Sequence, residues 1–413
     1  MHALKISLFL VSIFLVIAGC SGLNIQPNQP QQVSQAPEFL YVGTSKPGLL
    51  TFQVQPGGSL KAVPTSASVP DSVCSAALSA APSKIYSLSQ LCPFSADPME
   101  LRRFDLGPSG DIISGAGPFS LGPNLPSDIG HIFSFITVPQ GNFAYAWTFD
   151  NGRESITPIR LDAGGNMTPM PDLGISWPIE SITIVPCAFH SPERVITTTE
   201  GTFLVVISSR DCSDIEAPSG SYLFFHLDSE TGAIGSLISE IQLGHLPQFV
   251  STTQSGNLVV LAEYVPEAPG NLMLFRAGAD GVTLLQQCQS NQRACAHPEV
   301  AAFHPSGKWL FIADTDTNGI DHGIWTIPIV HGSLIAAKAS FISMPDEGYK
   351  FDFSSDGKGL YVGQWVDNQV SGQISGFRVD DRTGVLSEMP DSPWNLGTEF
   401  FITSMVHTAA TGK

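Results

Sequence analysis

The chain alternates short apolar runs with turns that contain glycine. The clearest runs are 39–44, Trp309–Asp314 and 360–364. Weaker copies of the same pattern are centred on Tyr86, Tyr145, Val205 and Val260. Runs of this length, rich in β-branched and aromatic residues and bounded by turn formers, predict β-strands, and no segment keeps a long helical period.

These apolar runs recur with a nearly constant spacing. Their centres lie 45, 59, 60, 55, 51 and 50 residues apart. A period of about 54 residues suits four short strands per unit, and it is too long for ankyrin or tetratricopeptide repeats. Seven copies fit between Phe39 and the end of the chain. The sequence therefore predicts an all-β fold, a seven-bladed β-propeller over 39–413.

The two ends of the repeating region complement each other. A strand and turn at 300–308 precede the run that starts at Trp309, whereas no such strand precedes the first run at Phe39. The final segment, 404–413, is similar to that strand and turn, and no run follows it. We therefore expect the carboxyl-terminal strand to complete the first blade, which closes the ring and leaves no long sheet edge exposed.

Three motifs resemble the lactonase-type family of seven-bladed propellers, which includes phosphogluconolactonases, lactone-forming cycloisomerases and YVTN-repeat surface proteins. The motifs are Tyr41-Val42-Gly43-Thr44, His304-Pro305-Ser306-Gly307-Lys308 and the turn at 380–386. The resemblance covers 39–413. It implies the family's fold strongly and its activity weakly, because most of the matching residues build the blade rather than a reactive site.

The amino-terminal segment resembles a bacterial lipoprotein signal. Lys5 precedes an apolar run, 6–18, that is too short for a spanning helix, and small residues then lead to Cys20. By this resemblance 1–19 is a signal peptide and Cys20 is lipidated; the alternative is an ordinary signal peptide with an incidental cysteine. The polar, proline-rich remainder of 20–38 is typical of a flexible tether. We expect an exported protein that touches the membrane of the cell envelope only through its lipid anchor.

Six further cysteines agree with an oxidising compartment, since their number is even. Many pairings are open to six cysteines, but the spacing favours local ones. We expect Cys74–Cys92 and Cys187–Cys212 across hairpin turns, and Cys288–Cys295 within a polar loop. None of them forms a CxxC motif, so structural disulfides are favoured over redox or metal sites.

The charge balance narrows the choice of partners. The chain has 19 Lys and Arg against 37 Asp and Glu, which gives a formal net charge of −18. An acidic surface repels phosphate, so nucleic acid is not expected to bind. We expect a monomer that binds a small molecule or a protein.

Candidate chemistry lies where the second strand of each blade ends, on the face that carries the ligand-binding loops. The residues there are Thr44, Ser89, Thr148, Ser208, Glu263, Asp314 and Gln364. The two acids belong to adjacent blades, where such a pair can hold a cation, bind a sugar or act as acid and base. Alternatively, they bind loop amides or face water. The other candidate ligand-binding residues at this face are Thr44, His245, Gln364 and Trp365.

Glu263 also has support from the family resemblance. In family enzymes one blade carries Pro-Arg-His before its inner strand and Asn-Glu after its second strand, and Pro247 and Glu263 match this pattern. Gln248 replaces the arginine, and Phe249 replaces the histidine. Opening a lactone requires a base and a donor that stabilises the oxyanion, and these replacements remove both from the blade.

The segment 314–319 matches the opening of a calcium loop. Asp314, Asp316 and Asn318 place oxygen ligands at alternate positions, and Gly319 allows a sharp turn. Trp325 stands where an EF-hand has its glutamate, and Asn-Gly is also favoured by a tight turn alone. No cofactor is required by the sequence, and calcium is the candidate.

The sequence thus favours a ligand- or protein-binding module that is lactonase-like in fold. The alternative is a hydrolase that opens a lactone or sugar ester with Glu263 and Asp314. The chain has no GxSxG, HExxH, Walker or GxGxxG motif, so other common catalytic classes have no support.

Overall fold

The computed structural model of the protein describes residues 37–45, 48–64, 73–81, 83–91, 100–119, 131–138, 142–150, 153–178, 188–210, 219–264, 270–288, 292–314, 322–366, 371–398 and 402–409. Within these ranges the secondary structure is β-strand apart from three 3₁₀ turns at Pro171–Leu173, Arg293–Cys295 and Ala336–Lys338. No helix in this part of the chain is long and apolar enough to cross a membrane. Cys20 and the predicted signal peptide lie outside these ranges.

The strands are numbered in chain order. The first sixteen are β1 (Glu38–Thr44), β2 (Leu49–Val54), β3 (Leu60–Val63), β4 (Val73–Ala81), β5 (Lys84–Leu91), β6 (Glu100–Leu106), β7 (Ile112–Phe119), β8 (His131–Thr137), β9 (Phe143–Asp150), β10 (Arg153–Leu161), β11 (Met167–Pro169), β12 (Ile175–Pro178), β13 (Ala188–Thr197), β14 (Thr202–Arg210), β15 (Ser219–Leu227) and β16 (Ile234–Leu243). The others are β17 (Leu246–Thr252), β18 (Leu258–Tyr264), β19 (Asn271–Gly278), β20 (Gly281–Cys288), β21 (Pro298–Phe303), β22 (Trp309–Asp314), β23 (Gly323–Val330), β24 (Ser333–Leu334), β25 (Ser340–Ser343), β26 (Glu347–Phe353), β27 (Gly359–Val366), β28 (Ser371–Val379), β29 (Leu386–Glu388), β30 (Trp394–Thr398) and β31 (Ile402–Ala409).

Seven antiparallel sheets form the blades of a β-propeller, which confirms the predicted fold. Blade 1 has the strand order β31-β1-β2-β3 from the innermost strand outward. Blades 2 to 7 consist of consecutive strands that begin with the innermost strands β4, β8, β13, β17, β21 and β26. We call the face where the second strands end and the innermost strands begin the loop face.

The carboxyl-terminal strand closes the ring, as predicted. β31 pairs with β1 so that Glu38 lies opposite Ala409 and Gly43 lies opposite Ser404. Each innermost strand also contacts the innermost strands of both neighbouring blades, and β31 does so with β4 and β26. The innermost strands therefore form a closed ring around the axis, and we call the space inside this ring the axial channel.

Tyrosines at the centres of three repeats hydrogen-bond one blade to the next. Tyr41 in blade 1 donates its hydroxyl hydrogen bond to the carbonyl of Gly110 in blade 2 at 2.8 Å. Tyr145 in blade 3 does the same to Gly232 in blade 4 at 3.1 Å. These tyrosines are almost fully buried, so each hydroxyl needs this partner.

The accepting turns require glycine for two reasons. Gly110 and Gly232 have φ values of +71° and +76°, which favour glycine over other residues. A Cβ on Gly110 would lie 2.3 Å from the ring of Phe39, and one on Gly232 would lie 2.5 Å from the ring of Phe143. The aromatic residue that starts a second strand thus packs against the turn of the next blade, which explains why the sequence repeats aromatic and glycine positions together.

The predicted cysteine pairs have different outcomes. Cys288 and Cys295 form a disulfide, as predicted, between the end of β20 and the following 3₁₀ turn. Cys92 lies outside the described residues, so its pairing with Cys74 stays a prediction. The reasoning behind that pair needs correction, because β4 and β5 place Cys74 opposite Gln90 rather than opposite position 92. Cys187 and Cys212 also lie outside the described residues.

Candidate functional site

Six of the seven residues predicted at the ends of the second strands occupy equivalent places on the loop face. In the three adjacent blades 5, 6 and 7, Glu263 lies opposite Pro247, Asp314 opposite Pro298, and Gln364 opposite Gly348. Three further members lie at the same position of their blades: Thr44 opposite Ile402, Ser89 opposite Ser75 and Thr148 opposite Ile132. Blade 4 differs from the prediction, because the equivalent residue there is Val206, opposite Pro192, whereas Ser208 lies two residues further along the strand, opposite His190.

Glu263 is bound within its own blade. Its side chain is 6% exposed. Oε1 accepts a hydrogen bond from the backbone N–H of His245 at 2.8 Å, and Oε2 accepts one from Nδ2 of Asn271 at 2.6 Å. His245 precedes β17 and Asn271 begins β19, so the carboxylate links the start of the innermost strand to the start of the third strand.

Asp314 has a comparable role in blade 6. It is 6% exposed, and its Oδ2 accepts a hydrogen bond from the indole Nε1 of Trp325 at 2.7 Å. Trp325 is the residue that stands in place of an EF-hand glutamate. Asp316 and Asn318 lie outside the described residues, and no group of three or more His, Cys, Asp or Glu within the described part of the chain is placed to hold a metal ion.

Gln364 repeats this arrangement in blade 7. It is fully buried, its Nε2 donates to the backbone carbonyl of Asp346 at 3.0 Å, and its Oε1 accepts from the Ser375 hydroxyl. Thr44 is buried as well, at 1% exposure. In blades 5, 6 and 7, the side chain at this position therefore hydrogen-bonds to other groups of its own blade.

The structure does not join the predicted site residues into one described cluster. Glu263 and Asp314 are each bonded inside a separate blade. The ring of His245 is partly exposed. The backbone of Trp365 pairs with Glu347 and Gly372 at the loop-face end of β27, while its side chain lies outside the described part of the structure.

All seven innermost strands contain a bulge. The extra residue at each bulge is Ala76, Phe133, Glu193, Gln248, Glu299, Tyr349 or Thr403. A bulge redirects the side chains next to it. The Tyr349 hydroxyl, for example, accepts a hydrogen bond from the backbone N–H of Ile402 in the neighbouring blade at 3.0 Å.

Four charged residues at or beside these bulges form what we call the axial cluster: Glu193, Arg194, Glu299 and Lys350. Glu193 in blade 4 interacts electrostatically with Lys350 in blade 7, although these blades are not neighbours. Lys350 also interacts with Glu299 in blade 6. The lysine of one blade thus lowers the pKa of acids in two other blades.

The axial channel changes the titration of its acids. Desolvation raises the pKa of Glu193, and the opposing effects of Ser191, Lys350 and Arg194 are smaller. Desolvation, followed by the Glu347 carboxylate, raises the pKa of Glu299. Glu193, Arg194 and Lys350 still reach solvent. They are therefore accessible side chains in a space that the blades enclose.

A second unit on the loop face joins blades 3 and 4. Glu154 is 3% exposed, and it accepts hydrogen bonds from the backbone N–H of His190 and from Nδ1 of the same residue, the latter at 2.8 Å. Trp177 stacks on the imidazole with ring centroids 4.1 Å apart and an interplanar angle of 4°. The hydrogen bonds and the stacking together orient His190 and join blade 3 to blade 4.

Sequence reasoning missed both the axial cluster and the Glu154–His190 pair. The Pro-Glu dipeptides at 192–193 and 298–299 occupy the place of Pro247-Gln248, so alignment of the blades is the signal that could have found Glu193 and Glu299. Glu154 and His190 come from different blades and share no motif. Their contact depends on how neighbouring sheets pack.

Comparisons with known proteins show the fold and not the activity. The structure is similar to two crystal structures of candidate 6-phosphogluconolactonases. The protein from Bacteroides fragilis has a TM-score of 0.62 and 15% identity, with 92% of this chain and 100% of that chain covered. The protein from Bacteroides uniformis has a TM-score of 0.62 and 14% identity, with coverage of 89% and 100%.

A quinoprotein alcohol dehydrogenase-like protein from Bacteroides thetaiotaomicron is also similar, with a TM-score of 0.50, 12% identity and coverage of 90% of this chain and 78% of that chain. No protein-family model and no curated protein matches the sequence. At these identities the similarity defines the class as a seven-bladed propeller with a lactonase-like fold. One such fold supports many functions.

Proposed function

We propose that the protein is a binding module, in which a lactonase-like propeller presents a ligand site without lactone chemistry. The observation that carries the proposal is the state of Glu263. Both of its carboxylate oxygens already accept hydrogen bonds from His245 and Asn271. A base that activates water must present a lone pair to that water, whereas Glu263 is held inside its blade with only 6% of its surface exposed.

The neighbouring positions support the same conclusion. Phe249, at the place of the family histidine, is a buried apolar side chain. Gln248, at the place of the family arginine, lies beside the Glu299 carboxyl, whose pKa it lowers. An oxyanion would find neither a cation nor an imidazole at these two positions.

The test is lactone opening by the purified full-length protein. We expect the rates for a panel of sugar lactones and sugar esters to equal the uncatalysed rates, and the Glu263→Gln variant to behave in the same way. Turnover above background that Glu263→Gln or Asp314→Asn abolishes would contradict the proposal and support the hydrolase alternative. Glu388→Gln, on the exposed surface of β29, is the matched control.

We further propose that Cys20 anchors the protein to the bacterial cell envelope. The support is the apolar run that ends at Cys20 and the Cys288–Cys295 disulfide, which suits an oxidising compartment. Labelling with a fatty-acid analogue tests this proposal. Incorporation into the wild-type protein and its loss in Cys20→Ala are expected; equal labelling of both, or labelling of neither, would contradict it.

A further inference from the structure

A cavity of about 650 Å³ lies between blades 5 and 6, on the face opposite the loop face. A cavity of this volume can hold a small organic molecule. Its walls are the turns between β17 and β18, β21 and β22, and β23 and β24, together with the adjoining ends of β18 and β19. The cavity is therefore separate from Glu263, Asp314 and the other predicted site residues, which lie on the loop face.

Two turns of blade 6 approach blade 5 closely and form one side of the cavity. A Cβ on Gly307 would lie 3.7 Å from the methyl carbon of Thr253, and one on Gly332 would lie 3.9 Å from Cδ2 of Leu258. Both distances are ordinary van der Waals separations. Because the same four residues line the cavity, contacts between the two blades hold its walls in place.

Ser306 presents a hydrogen-bond acceptor to the cavity. Its backbone N–H donates to Nδ1 of His304 at 3.1 Å, and its Oγ lies 2.7 Å from the same nitrogen. Nε2 of that ring lies 2.9 Å from the Gly357 carbonyl and therefore carries the proton. Nδ1 is then an acceptor, so the Ser306 hydroxyl donates to it. The Lys308 N–H occupies one lone pair of Oγ at 3.4 Å, which leaves the other for a hydroxyl group of a ligand.

The ionisable side chains that line the cavity are basic. They are Arg276 and His331, both exposed, and the lining includes no acid among the described residues. The whole chain has 37 Asp and Glu against 19 Lys and Arg, so a lining without acids departs from the composition. Exposed charges more than about 8 Å apart are largely screened at physiological ionic strength. The two bases therefore make the cavity suitable for an anion despite the net charge.

Arg276 has donors to spare for such a ligand. It lies opposite Leu258, the first residue of its second strand, and Arg378 lies at the equivalent position of blade 7, opposite Gly359. Arg378 donates to the carbonyl of Gly57 in the next blade at 3.2 Å. Within the described part of the structure, the Arg276 guanidinium has neither a hydrogen bond nor an ion pair.

We propose that this cavity binds a small polyhydroxylated dicarboxylate, with one carboxylate at Arg276 and the other at His331. A guanidinium binds a carboxylate through two parallel hydrogen bonds, and an imidazole N–H donates to the second carboxylate. Hydroxyl groups between the two carboxylates match the neutral polar side chains of the lining. These side chains are Thr253, Gln254, Ser255, Asn257 and Ser306. The proposal goes beyond the proposed function, because it assigns a site on the other face of the propeller.

The experiment is calorimetric titration of the full-length protein with tartrate and galactarate, which carry two carboxylates on a shorter and a longer hydroxylated chain. The matched probes are threonate and galactonate, which have a single carboxylate, and succinate and adipate, which have no hydroxyl groups. We expect tartrate or galactarate to bind about tenfold or more tightly than both of its matched probes. Each probe leaves either a base or the polar wall without a partner.

Variants then locate the site. Arg276→Met is expected to weaken binding about tenfold or more, and His331→Asn about fivefold or more. Asparagine tolerates the φ of +52° at position 331, so the turn is kept. The matched control is Arg160→Met, which removes the exposed arginine at the equivalent position of blade 3, opposite Phe143, and should leave the affinity unchanged. The thermal unfolding midpoint of every variant shows that it is folded.

The outcomes separate this inference from the proposed function. Absence of binding by both tartrate and galactarate, equal affinity for a matched probe, or unchanged affinity in Arg276→Met or His331→Asn would overturn the site between blades 5 and 6. None of these results bears on Glu263 at the loop face. Lactone turnover that Glu263→Gln abolishes would overturn the proposed function instead, and it would leave dicarboxylate binding at the opposite face unaffected.

Discussion

The hydroxyl of Tyr361 donates a hydrogen bond to the carbonyl oxygen of Gly58 at 2.8 Å, across 303 residues of sequence. Tyr361 lies in blade 7 and Gly58 in the turn between β2 and β3 of blade 1, so this bond spans the junction at which the ring closes. It belongs to the same series as the bonds from Tyr41 to Gly110 and from Tyr145 to Gly232.

We predict that Tyr361→Phe lowers the free energy of unfolding by about 1–2 kcal/mol, because the Gly58 carbonyl loses its donor inside the protein. Tyr145→Phe should lose a similar amount at the junction between blades 3 and 4. Val385→Ala, on an exposed side chain, is the control. Denaturant unfolding measures all three, and a Tyr361→Phe variant as stable as the control would show that the bond contributes nothing.

Asp352, beside the closing strand, should make stability depend on pH. Desolvation raises the pKa of Asp352 from 3.8 to about 6, against the smaller opposing effects of His407 and the Phe353 backbone. A pKa raised by folding means that the stabilising protonated form is present at low pH and is lost as the pH rises through about 6.

Replacement of this residue should therefore stabilise the protein increasingly as the pH rises from about 4 to about 6, and by a constant amount above that. We expect Asp352→Asn to match the wild type near pH 3.5 and to exceed it by about 3 kcal/mol at pH 7.5. The free energy of unfolding measured across this pH interval provides the check. A constant difference between the two proteins would mean that Asp352 does not titrate as described. Both proteins keep the nearby pair of Glu38 and His407, whose Oε2 and Nε2 atoms lie 3.4 Å apart.

Glu263 should matter for stability rather than for turnover. Glu263→Gln turns one acceptor oxygen into a donor that faces either the His245 N–H or the Asn271 amide. We expect a loss of about 1–3 kcal/mol in the free energy of unfolding, since both existing bonds are charge-assisted. Restored stability in a Glu263→Gln/Asn271→Asp double variant, whose new carboxylate accepts from the glutamine, would support this explanation. A single variant of wild-type stability would contradict it.

The indole of Trp325 gives a direct test of the calcium prediction. If Asp314 serves to bind Trp325, then Trp325→Phe lowers the free energy of unfolding by about 1–2 kcal/mol, and neither chelator nor added calcium changes the melting temperature of the wild type. A rise in melting temperature with calcium that Asp314→Asn or Asp316→Asn removes would instead identify a metal site.

The blade pattern could be predicted from sequence because it is local. An aromatic residue at the start of a second strand, a tyrosine two residues later and a glycine turn in the next blade each carry a visible signal. Ring closure followed from the missing strand before Phe39. The Cys288–Cys295 pair followed from its short spacing.

The site could not be predicted to the same extent because it depends on contacts between blades and on register. The bulge after Ser75, together with the turn between Ala81 and Lys84, places Cys74 opposite Gln90. The position of a bulge, and the change of strand register that it causes, cannot be read from the amino-acid composition. The sequence shows that Trp325 stands where an EF-hand has its glutamate. It does not show that the indole of Trp325 donates a hydrogen bond to Asp314. The axial cluster combines side chains from blades 4, 6 and 7, which no spacing along the chain connects.

Both the loop face and the axial channel exist only if β31 completes blade 1. The most direct test compares chains that end at 401 and at Ala409, the second of which keeps every described pair between β31 and β1. We predict that the chain ending at 401 loses cooperative unfolding or most of its unfolding free energy, while the chain ending at Ala409 unfolds as one unit. Equal stability and cooperativity of the two chains would contradict the closed ring on which the site depends.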